Sequence, residues 1–284
     1  MGNSPNRPAG AGGFIPPVVA IPGVKALIAV ASGKGGVGKT TVAVNLAIAL
    51  QKMGATVGLM DADVYGPNVP TMMGTSEQPR ADSEREILPV LAYGVKMISM
   101  GLLSPGDKPL IWRGPMLHSV MQQFLRSVKW GELDYLIVDL PPGTGDVQLS
   151  LIQTVPLTGA ILVTTPSVVA LADVRKAMEM FRQVHVEVLG VIENMSYYDA
   201  PGGQRVHIFG EGEGKRMAES FSVPFLGEIE IDPQIRVGGD TGKPVASLGE
   251  SAPVAKSMYA MARAVAARVE AVLSAATGPV VQID

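Results

Sequence analysis

The chain has no cysteine among its 284 residues. This absence excludes disulfide bonds, and it excludes any metal or cluster site whose thiolate ligands come from this chain alone. Charge is also scarce, because charged residues make up 17% of the sequence and the formal net charge is −3. Without a basic surplus or a long run of lysine and arginine, we expect no nucleic-acid partner.

Long hydrophobic runs are missing as well. No uncharged apolar stretch reaches the 18 or so residues that a transmembrane helix needs, so we expect no membrane partner. Residues 1–23 begin with a polar segment that lacks the apolar core of a signal peptide, and we interpret them as a disordered N-terminal tail. Residues 278–284 are interpreted as a C-terminal tail. We therefore expect a cytoplasmic protein.

Hydrophobic residues nevertheless make up 47% of the chain, which is enough for a substantial core. Short apolar runs alternate with longer helical patterns, and this alternation predicts an α/β fold with a mostly parallel sheet and helices on both faces. The predicted strands are Ala26–Ala31, Thr56–Met60, Val95–Met100, Tyr135–Leu140, Ala160–Thr164, Val188–Ile192 and Pro224–Gly227. The predicted helices are Lys39–Lys52, Pro115–Val128, Ala170–Val184 and Ser251–Ala276. We expect surface loops at Thr75–Glu86 and Tyr197–Gly214, and a single domain over residues 24–277.

A glycine-rich segment follows the first predicted strand and fits the P-loop pattern G-x-x-x-x-G-K-[ST]. Its glycines let backbone N–H groups converge on phosphate oxygens, and the following helix directs its positive N-terminal end at the same anion. Lys39 would contact the β- and γ-phosphates of ATP, and the Thr40 hydroxyl would bind Mg²⁺. The predicted nucleotide-binding residues are Gly33, Lys34, Gly35, Gly36, Val37, Gly38, Lys39, Thr40 and Thr41. The pattern alone does not require a lysine at position 34, and it favours the interpretation of Lys34 as an ordinary solvated lysine of the loop.

Polar side chains lie at or just after the carboxyl ends of three of the other predicted strands. Ligands bind at the carboxyl ends of parallel strands, so position favours a functional role for these residues over a role in turns or helix caps. Asp139 is predicted to hold Mg²⁺ through water, and either Asp61 or Asp63 to orient the attacking water or contact the metal. The loop Pro141–Asp146 would report the presence of the γ-phosphate. Asn194 would read adenine through its amide, which carries both a donor and an acceptor.

Several longer segments resemble those of a known family. Gly33–Thr41 (GKGGVGKTT) resembles the deviant Walker A motif of the MinD/ParA group of P-loop ATPases, in which an additional lysine begins the loop. More narrowly, the chain resembles the Mrp/ApbC family of iron–sulfur cluster carrier ATPases over most of its length. The matching segments are Asp61–Pro70 (DADVYGPNVP), Trp112–Met116 (WRGPM), Asp139–Leu151 (DLPPGTGDVQLSL), Glu193–Tyr197 (ENMSY), Ile208–Gly214 (IFGEGEG) and Pro224–Asp232 (PFLGEIEID).

The resemblance implies a role for each candidate residue. Lys34 would reach across a homodimer to the phosphates of the partner, which replaces the solvated-lysine interpretation. Asp63 would lie in switch I, activate water and approach the metal, while Asp139 would begin switch II. Lys39 would keep its P-loop role, so Lys34, Lys39, Asp63 and Asp139 form the predicted catalytic set. Thr40, Asp63 and Asp139 form the predicted Mg²⁺ set, and Asn194 would contact adenine.

One departure from the family pattern concerns cysteine. Many members carry a Cys-Pro-x-Cys motif shortly after the segment that matches Glu193–Tyr197, whereas this chain reads Asp199-Ala200-Pro201-Gly202-Gly203-Gln204. An iron–sulfur cluster therefore cannot be bound here through thiolates. His207 lies in the same region, but an isolated histidine is more typical of a protein surface than of a metal site.

Two functions remain open at this point. The first is a slow ATPase that helps transfer iron–sulfur clusters to apoproteins, acting as a homodimer with ATP and Mg²⁺. The second is a positioning or partner-regulating ATPase of the MinD/ParA kind that binds no cluster. A catalytically inactive P-loop protein is disfavoured, because Lys34, Lys39, Thr40, Asp63 and Asp139 are all present.

Overall fold

The computed structural model describes residues 20–63, 66–82, 86–103, 114–145, 148–149, 152–153 and 156–276. The predicted terminal tails, residues 1–23 and 278–284, lie almost entirely outside these ranges. Asp146 of the predicted switch loop also lies outside them, as do Trp112 and Arg113 of the segment that supports the family resemblance.

One eight-stranded sheet forms the centre of the molecule. Its strand order is β12-β9-β8-β1-β7-β2-β6-β5, and every neighbouring pair is parallel except β5 with β6. The strands are β1 Val24–Ala31, β2 Val57–Asp61, β5 Val90–Ala92, β6 Val95–Ser99, β7 Leu133–Asp139, β8 Gly159–Thr164, β9 Val188–Glu193 and β12 Phe225–Glu228. Two small antiparallel ribbons complete the set: β3 Arg80–Ala81 with β4 Ile87–Leu88, and β10 Tyr198–Asp199 with β11 Arg205–Val206.

Helices cover both faces of the sheet. They are α1 Lys39–Lys52, α2 Val69–Met72, α3 Met100–Leu103, α4 Gly114–Arg126, α5 Val168–Gln183, α6 Glu213–Phe221, α7 Pro233–Asp240 and α8 Lys256–Ala276. The side chains of β1 alternate between the two faces: Ile28 joins the core beneath α1 and α8, and Ala29 joins the core beneath α4, α5 and α6. Because every inner strand is buried on both sides, these strands are almost continuously apolar. The predicted fold, an α/β domain with a mostly parallel sheet, is confirmed.

The structure corrects the sequence prediction in several places. The short antiparallel edge strand β5 was not predicted, and neither was α7, although Asp232 caps that helix by accepting a hydrogen bond from the Gln234 N–H at 2.7 Å. The segment Tyr197–Gly214 was predicted as a loop throughout, but it contains the β10–β11 ribbon and the first residues of α6. The predicted loop Thr75–Glu86 likewise contains β3. These elements are short, between two and nine residues each, so they leave little hydrophobic periodicity in the sequence.

All the parallel strands have their carboxyl ends at the same edge of the sheet, the edge that runs across the strands. That edge therefore brings together the loop after β1 and the last residues of the neighbouring strands, which include Asp139 of β7, Asp61 of β2, Ser99 of β6 and Glu193 of β9. In open parallel sheets, this edge is where ligands bind.

Candidate nucleotide-binding site

The glycine-rich loop connects β1 to α1 in a conformation that its glycines make possible. Gly36 and Gly38 have φ angles of 80° and 83°, in the left-handed region that favours glycine. A Cβ atom on Gly33 would lie 2.3 Å from the backbone carbon of Asp173, so the loop also packs directly against α5. The loop therefore packs against α5, and its N–H groups lie where α1 begins.

Lys39, Thr40 and Asp139 form a compact cluster beside this loop. The Lys39 ammonium donates to Asp139 Oδ1 at 2.6 Å, and the Thr40 hydroxyl donates to Asp139 Oδ2 at 2.7 Å. Lys39 is 6% exposed and Asp139 is fully buried. The structure thus brings together three residues that were singled out separately in the sequence.

Asp61 adds a second buried carboxylate next to Asp139. The two residues are register partners on the adjacent strands β2 and β7. Burial, reinforced by the negative charge of Asp139, raises the pKa of Asp61 to about 7. The Ser99 hydroxyl donates to Asp61 Oδ2 at 2.8 Å, and the Asp63 N–H donates to Oδ1 at 3.1 Å, which partly offsets this rise.

The remaining candidates surround this centre. Asp63 is partly exposed and follows β2 by two residues, with its backbone bound to Asp61. Lys34 is also partly exposed, and its side chain makes no hydrogen bond or ion pair with the described residues, while its carbonyl accepts from the Ser32 hydroxyl at 2.9 Å. Thr41 is part of α1, where its carbonyl accepts from the Asn45 amide at 2.9 Å.

Asn194 contacts the P-loop itself. Its amide nitrogen donates to the Val37 carbonyl at 2.9 Å, and its backbone N–H donates to Thr164 at 2.8 Å. A Cβ atom on Gly38 would lie 2.1 Å from that same amide nitrogen. The Asn194 side chain therefore supports the P-loop through its hydrogen bond to Val37. The sequence did not predict this contact. One amide hydrogen and the amide oxygen are not used in this contact.

The chemistry of this donor set fits a magnesium ion. The hydroxyl and carboxylate oxygens of Thr40 and Asp139 are hard ligands of the type that Mg²⁺ prefers, and they already approach each other closely. An iron–sulfur cluster does not fit in the same way. The chain has no cysteine, and the described residues contain no group of three or more histidine, aspartate or glutamate side chains suited to a metal ion.

A parallel sheet, a P-loop between β1 and α1, and strand-end aspartates on adjacent strands define the chain as a P-loop NTPase. Residues 23–266 match the family model described as "ParA: NUBPL iron-transfer P-loop NTPase". The chain belongs to this family, which confirms the resemblance seen in its sequence.

Individual relatives agree with this assignment. An iron–sulfur cluster carrier protein of Aquifex aeolicus (strain VF5) is 52% identical over 253 residues, which cover 88% of this chain and 70% of the relative. The iron–sulfur cluster transfer protein NUBPL of Dictyostelium discoideum is 48% identical over 242 residues, covering 84% and 75%. A nucleotide-binding protein of Archaeoglobus fulgidus, solved in complex with ADP, has a TM-score of 0.71 and 38% identity, covering 80% of this chain and 89% of that one.

Proposed function

We propose that this chain is a slow MgATP-dependent ATPase that assists the transfer of iron–sulfur clusters to apoproteins. The observation that carries the proposal is the buried Lys39–Asp139–Thr40 cluster at the start of the P-loop helix. The names of relatives at about half sequence identity support the choice of cargo.

The P-loop residues would hold the triphosphate through the backbone N–H groups of residues 33–40. Lys39 would exchange its ion pair with Asp139 for the β- and γ-phosphates. Thr40 and Asp139 would then hold Mg²⁺, which supplies positive charge to neutralise the phosphate oxygens. Asp63 would orient the attacking water, and Asn194 would contact adenine through the polar atoms that the P-loop contact leaves unused.

Lys34 supports a role for a second copy of the chain. Its side chain is partly exposed at the P-loop and makes no ion pair with the described residues. In a homodimer it would reach the phosphates bound by the partner, as the family resemblance implies. Cluster handling would then depend on a rearrangement that ATP binding and hydrolysis drive in the dimer.

In this proposal the cluster is cargo, and its ligands come from other proteins. The sequence offers no thiolate, and the described histidine and carboxylate side chains form no cluster of three. The segment Asp199–Gln204, where the family resemblance places the Cys-Pro-x-Cys motif, forms the largely exposed tip of the β10–β11 ribbon. The proposed contribution of this chain is therefore nucleotide-dependent assistance of a donor and an apoprotein acceptor.

An anaerobic transfer assay tests this function. A cluster-loaded scaffold protein and an apoprotein acceptor are mixed with the chain and MgATP, and the recovery of acceptor activity is measured. The expected result is faster transfer with the wild-type chain than with Lys39→Ala, together with measurable phosphate release by the wild type alone. Equal transfer rates with and without the wild-type chain would contradict the cluster role.

The absence of cysteine also favours a second candidate, a MinD/ParA-like ATPase that regulates or positions a partner without any cluster. Phosphate release that depends on Lys39, combined with no effect on cluster transfer, would support this second function. Pelleting with liposomes and with DNA in the presence of MgATP then tests the surfaces on which such ATPases act. In the described part of the chain, no helix is both long and apolar enough to span a bilayer.

A further inference from the structure

A buried carboxylate lies near the P-loop without belonging to the nucleotide machinery. Glu193 ends β9 and is fully buried. Its Oε1 accepts a hydrogen bond from the Ser196 hydroxyl at 2.6 Å, and its Oε2 accepts one from the Gly214 backbone N–H at 2.5 Å. No lysine or arginine of the described residues forms an ion pair with it, so these local donors compensate most directly for its burial.

The contact with Gly214 fixes the beginning of α6. Gly214 is the second residue of that helix, so its N–H is one of the donors that have no partner inside the helix. A Cβ atom at this position would lie 2.9 Å from Glu193 Oε2 and 3.1 Å from Glu193 Cβ. The carboxylate therefore holds the helix N-terminus at a distance that only glycine allows.

The residue that follows Glu193 holds the P-loop. Asn194 donates to the Val37 carbonyl, as described above, and Met195 then turns the chain sharply with a φ angle of 56°. Ser196 brings the chain back to the Glu193 carboxylate. The four residues Glu193–Ser196 thus form one compact turn with the P-loop on one side and α6 on the other.

The same turn also leads into the segment that we call the ribbon segment, residues 197–214. The ribbon segment begins directly after Ser196 and ends at Gly214. The Glu193 carboxylate therefore contacts the last residue of the segment, Gly214, and the residue just before its first, Ser196. The Ser196 carbonyl also lies 3.3 Å from Nδ1 of His207, in the middle of the segment. The ribbon segment presents exposed apolar side chains, with Ile208 55% and Phe209 50% exposed.

We propose that Glu193 is a positioning residue that couples the occupancy of the P-loop to the arrangement of the ribbon segment. The inference rests on the proposed function, because it requires that the P-loop binds MgATP. Nucleotide binding that moves the Val37 carbonyl moves the Asn194 side chain with it. Since Glu193 clamps the turn to Gly214, that displacement is transmitted to the start of α6 and to the ribbon segment.

Hydrogen–deuterium exchange with and without saturating MgATP tests the coupling. In the wild type, we expect slower exchange both in residues 33–41 and in the ribbon segment. Glu193→Gln replaces one accepting oxygen with a donor, so the Ser196 hydroxyl and the Gly214 N–H can no longer both donate to this side chain, and the clamp is weakened while the side-chain shape is kept. The variant should keep the protection of residues 33–41, whereas the nucleotide response of the ribbon segment should fall by about fivefold or more, the lower range of typical coupling between sites.

Glu187→Gln is the matched control, because Glu187 precedes the same strand at its other end and its carboxylate is 51% exposed. It should respond like the wild type. Two further variants test the same clamp if Glu193→Gln shows no cooperative thermal unfolding. Gly214→Ala disturbs the contact from the helix side, and Ser196→Ala removes only the hydroxyl donor. Both should weaken the ribbon response.

Two results would overturn the coupling: an unchanged ribbon response in all folded clamp variants, or a wild type in which MgATP protects residues 33–41 but leaves the ribbon segment unaffected. A wild type in which MgATP protects neither region would instead refute the proposed nucleotide binding. The two failures are therefore distinguishable in a single experiment.

Discussion

The ion pair between Lys39 and Asp139 connects the stability of the fold with the proposed chemistry. Both side chains are buried, at 6% and 0% exposure, and their charged atoms lie 2.6 Å apart. Removing one member of such a pair leaves the other charge buried without its counterion, which typically costs about 3–5 kcal/mol. The same ammonium is the group that we expect to bind the β- and γ-phosphates.

Lys39→Ala is therefore predicted to lose ATP hydrolysis. Its free energy of unfolding, measured in urea, should also fall by about 3 kcal/mol. The double variant Lys39→Ala/Asp139→Asn should recover part of this stability, because it removes the uncompensated carboxylate, but it should remain inactive. Lys25→Ala serves as the control. It breaks the ion pair of Lys25 with Asp134, but the Lys25 side chain is 68% exposed, so stability should change much less. If the double variant is no more stable than Lys39→Ala, the buried charge is not the cause.

Asp61 makes the stability of the protein depend on pH in an unusual direction. Its pKa is raised from 3.8 to about 7 by burial and by the charge of Asp139. Between about pH 4 and pH 7, the unfolded chain has released this proton while the folded chain still holds it. The folded state therefore binds more protons, and stability falls as the pH rises through this window, with a limiting slope of about 1.4 kcal/mol per pH unit.

We predict that urea unfolding at pH 5, 6, 7 and 8 will show this decline in the wild type relative to Asp61→Asn. Above pH 7 the difference should become constant, because Asp61 is then ionised in both states. Asparagine keeps an oxygen that can accept from Ser99, so the comparison isolates the titration. A difference between the two proteins that rises with pH, or does not change, would refute the raised pKa.

At the scale of elements, one partly exposed carboxylate connects three strands at their amino ends, opposite the P-loop. Asp134, at the start of β7, accepts from the Lys25 ammonium of β1 at 2.6 Å. It also accepts from the Thr56 N–H and hydroxyl, both at 2.8 Å, just before β2. These contacts, with that of Lys25 the largest, lower the pKa of Asp134 to about 2.

Because the folded pKa lies below the ordinary value of 3.8, the contribution of Asp134 is complete above about pH 4 and is lost as the pH falls towards 2. We predict that Asp134→Asn removes this part of the acid dependence and lowers stability at pH 7 by on the order of 1 kcal/mol, since solvent screens the contacts. ATP hydrolysis should be unchanged, because the site lies at the other edge of the sheet. Thermal unfolding between pH 2 and pH 7 provides the measurement, and an unaltered acid profile would count against it.

The elements that the sequence predicted well are those whose physical signal is local. The strand Ala26–Ala31 and the helix Lys39–Lys52 are apolar because they lie at the centre of the sheet and beneath α8, and the structure gives β1 as Val24–Ala31 and α1 with the predicted bounds. By contrast, β5 runs antiparallel at the sheet edge, and α6 is short and largely polar. Neither element carries enough apolar periodicity to be distinguished from a loop.

The residues of the candidate site also divide into those that the sequence could predict and those that it could not. Asp139 could be predicted because an aspartate after an apolar strand has few structural reasons to be there. Glu193 could not, because nothing in the sequence distinguishes a buried glutamate from an exposed one until its donors, Ser196 and Gly214, are brought to it by the fold. The contact of Asn194 with Val37 likewise joins residues separated by 157 positions.

At the scale of the whole molecule, the proposed homodimer has an electrostatic requirement. Each protomer carries a formal charge of −3, and each bound triphosphate adds further negative charge near the P-loop. Two such surfaces repel unless cations lie between them. Lys34, partly exposed at the P-loop and without an ion pair among the described residues, is placed to supply that charge.

Lys34→Ala should therefore bind ATP with nearly wild-type affinity but fail to dimerise with a non-hydrolysable ATP analogue and Mg²⁺, and its turnover should fall to the level of a monomer. Sedimentation velocity with and without the analogue measures the first effect, and phosphate release over a range of protein concentrations measures the second. Lys52→Ala removes an exposed lysine at the far end of α1 and should behave like the wild type. A wild type whose turnover per chain is independent of concentration and which stays monomeric with the analogue would rule out the dimer. An unimpaired Lys34→Ala dimer would instead rule out only the role of this lysine.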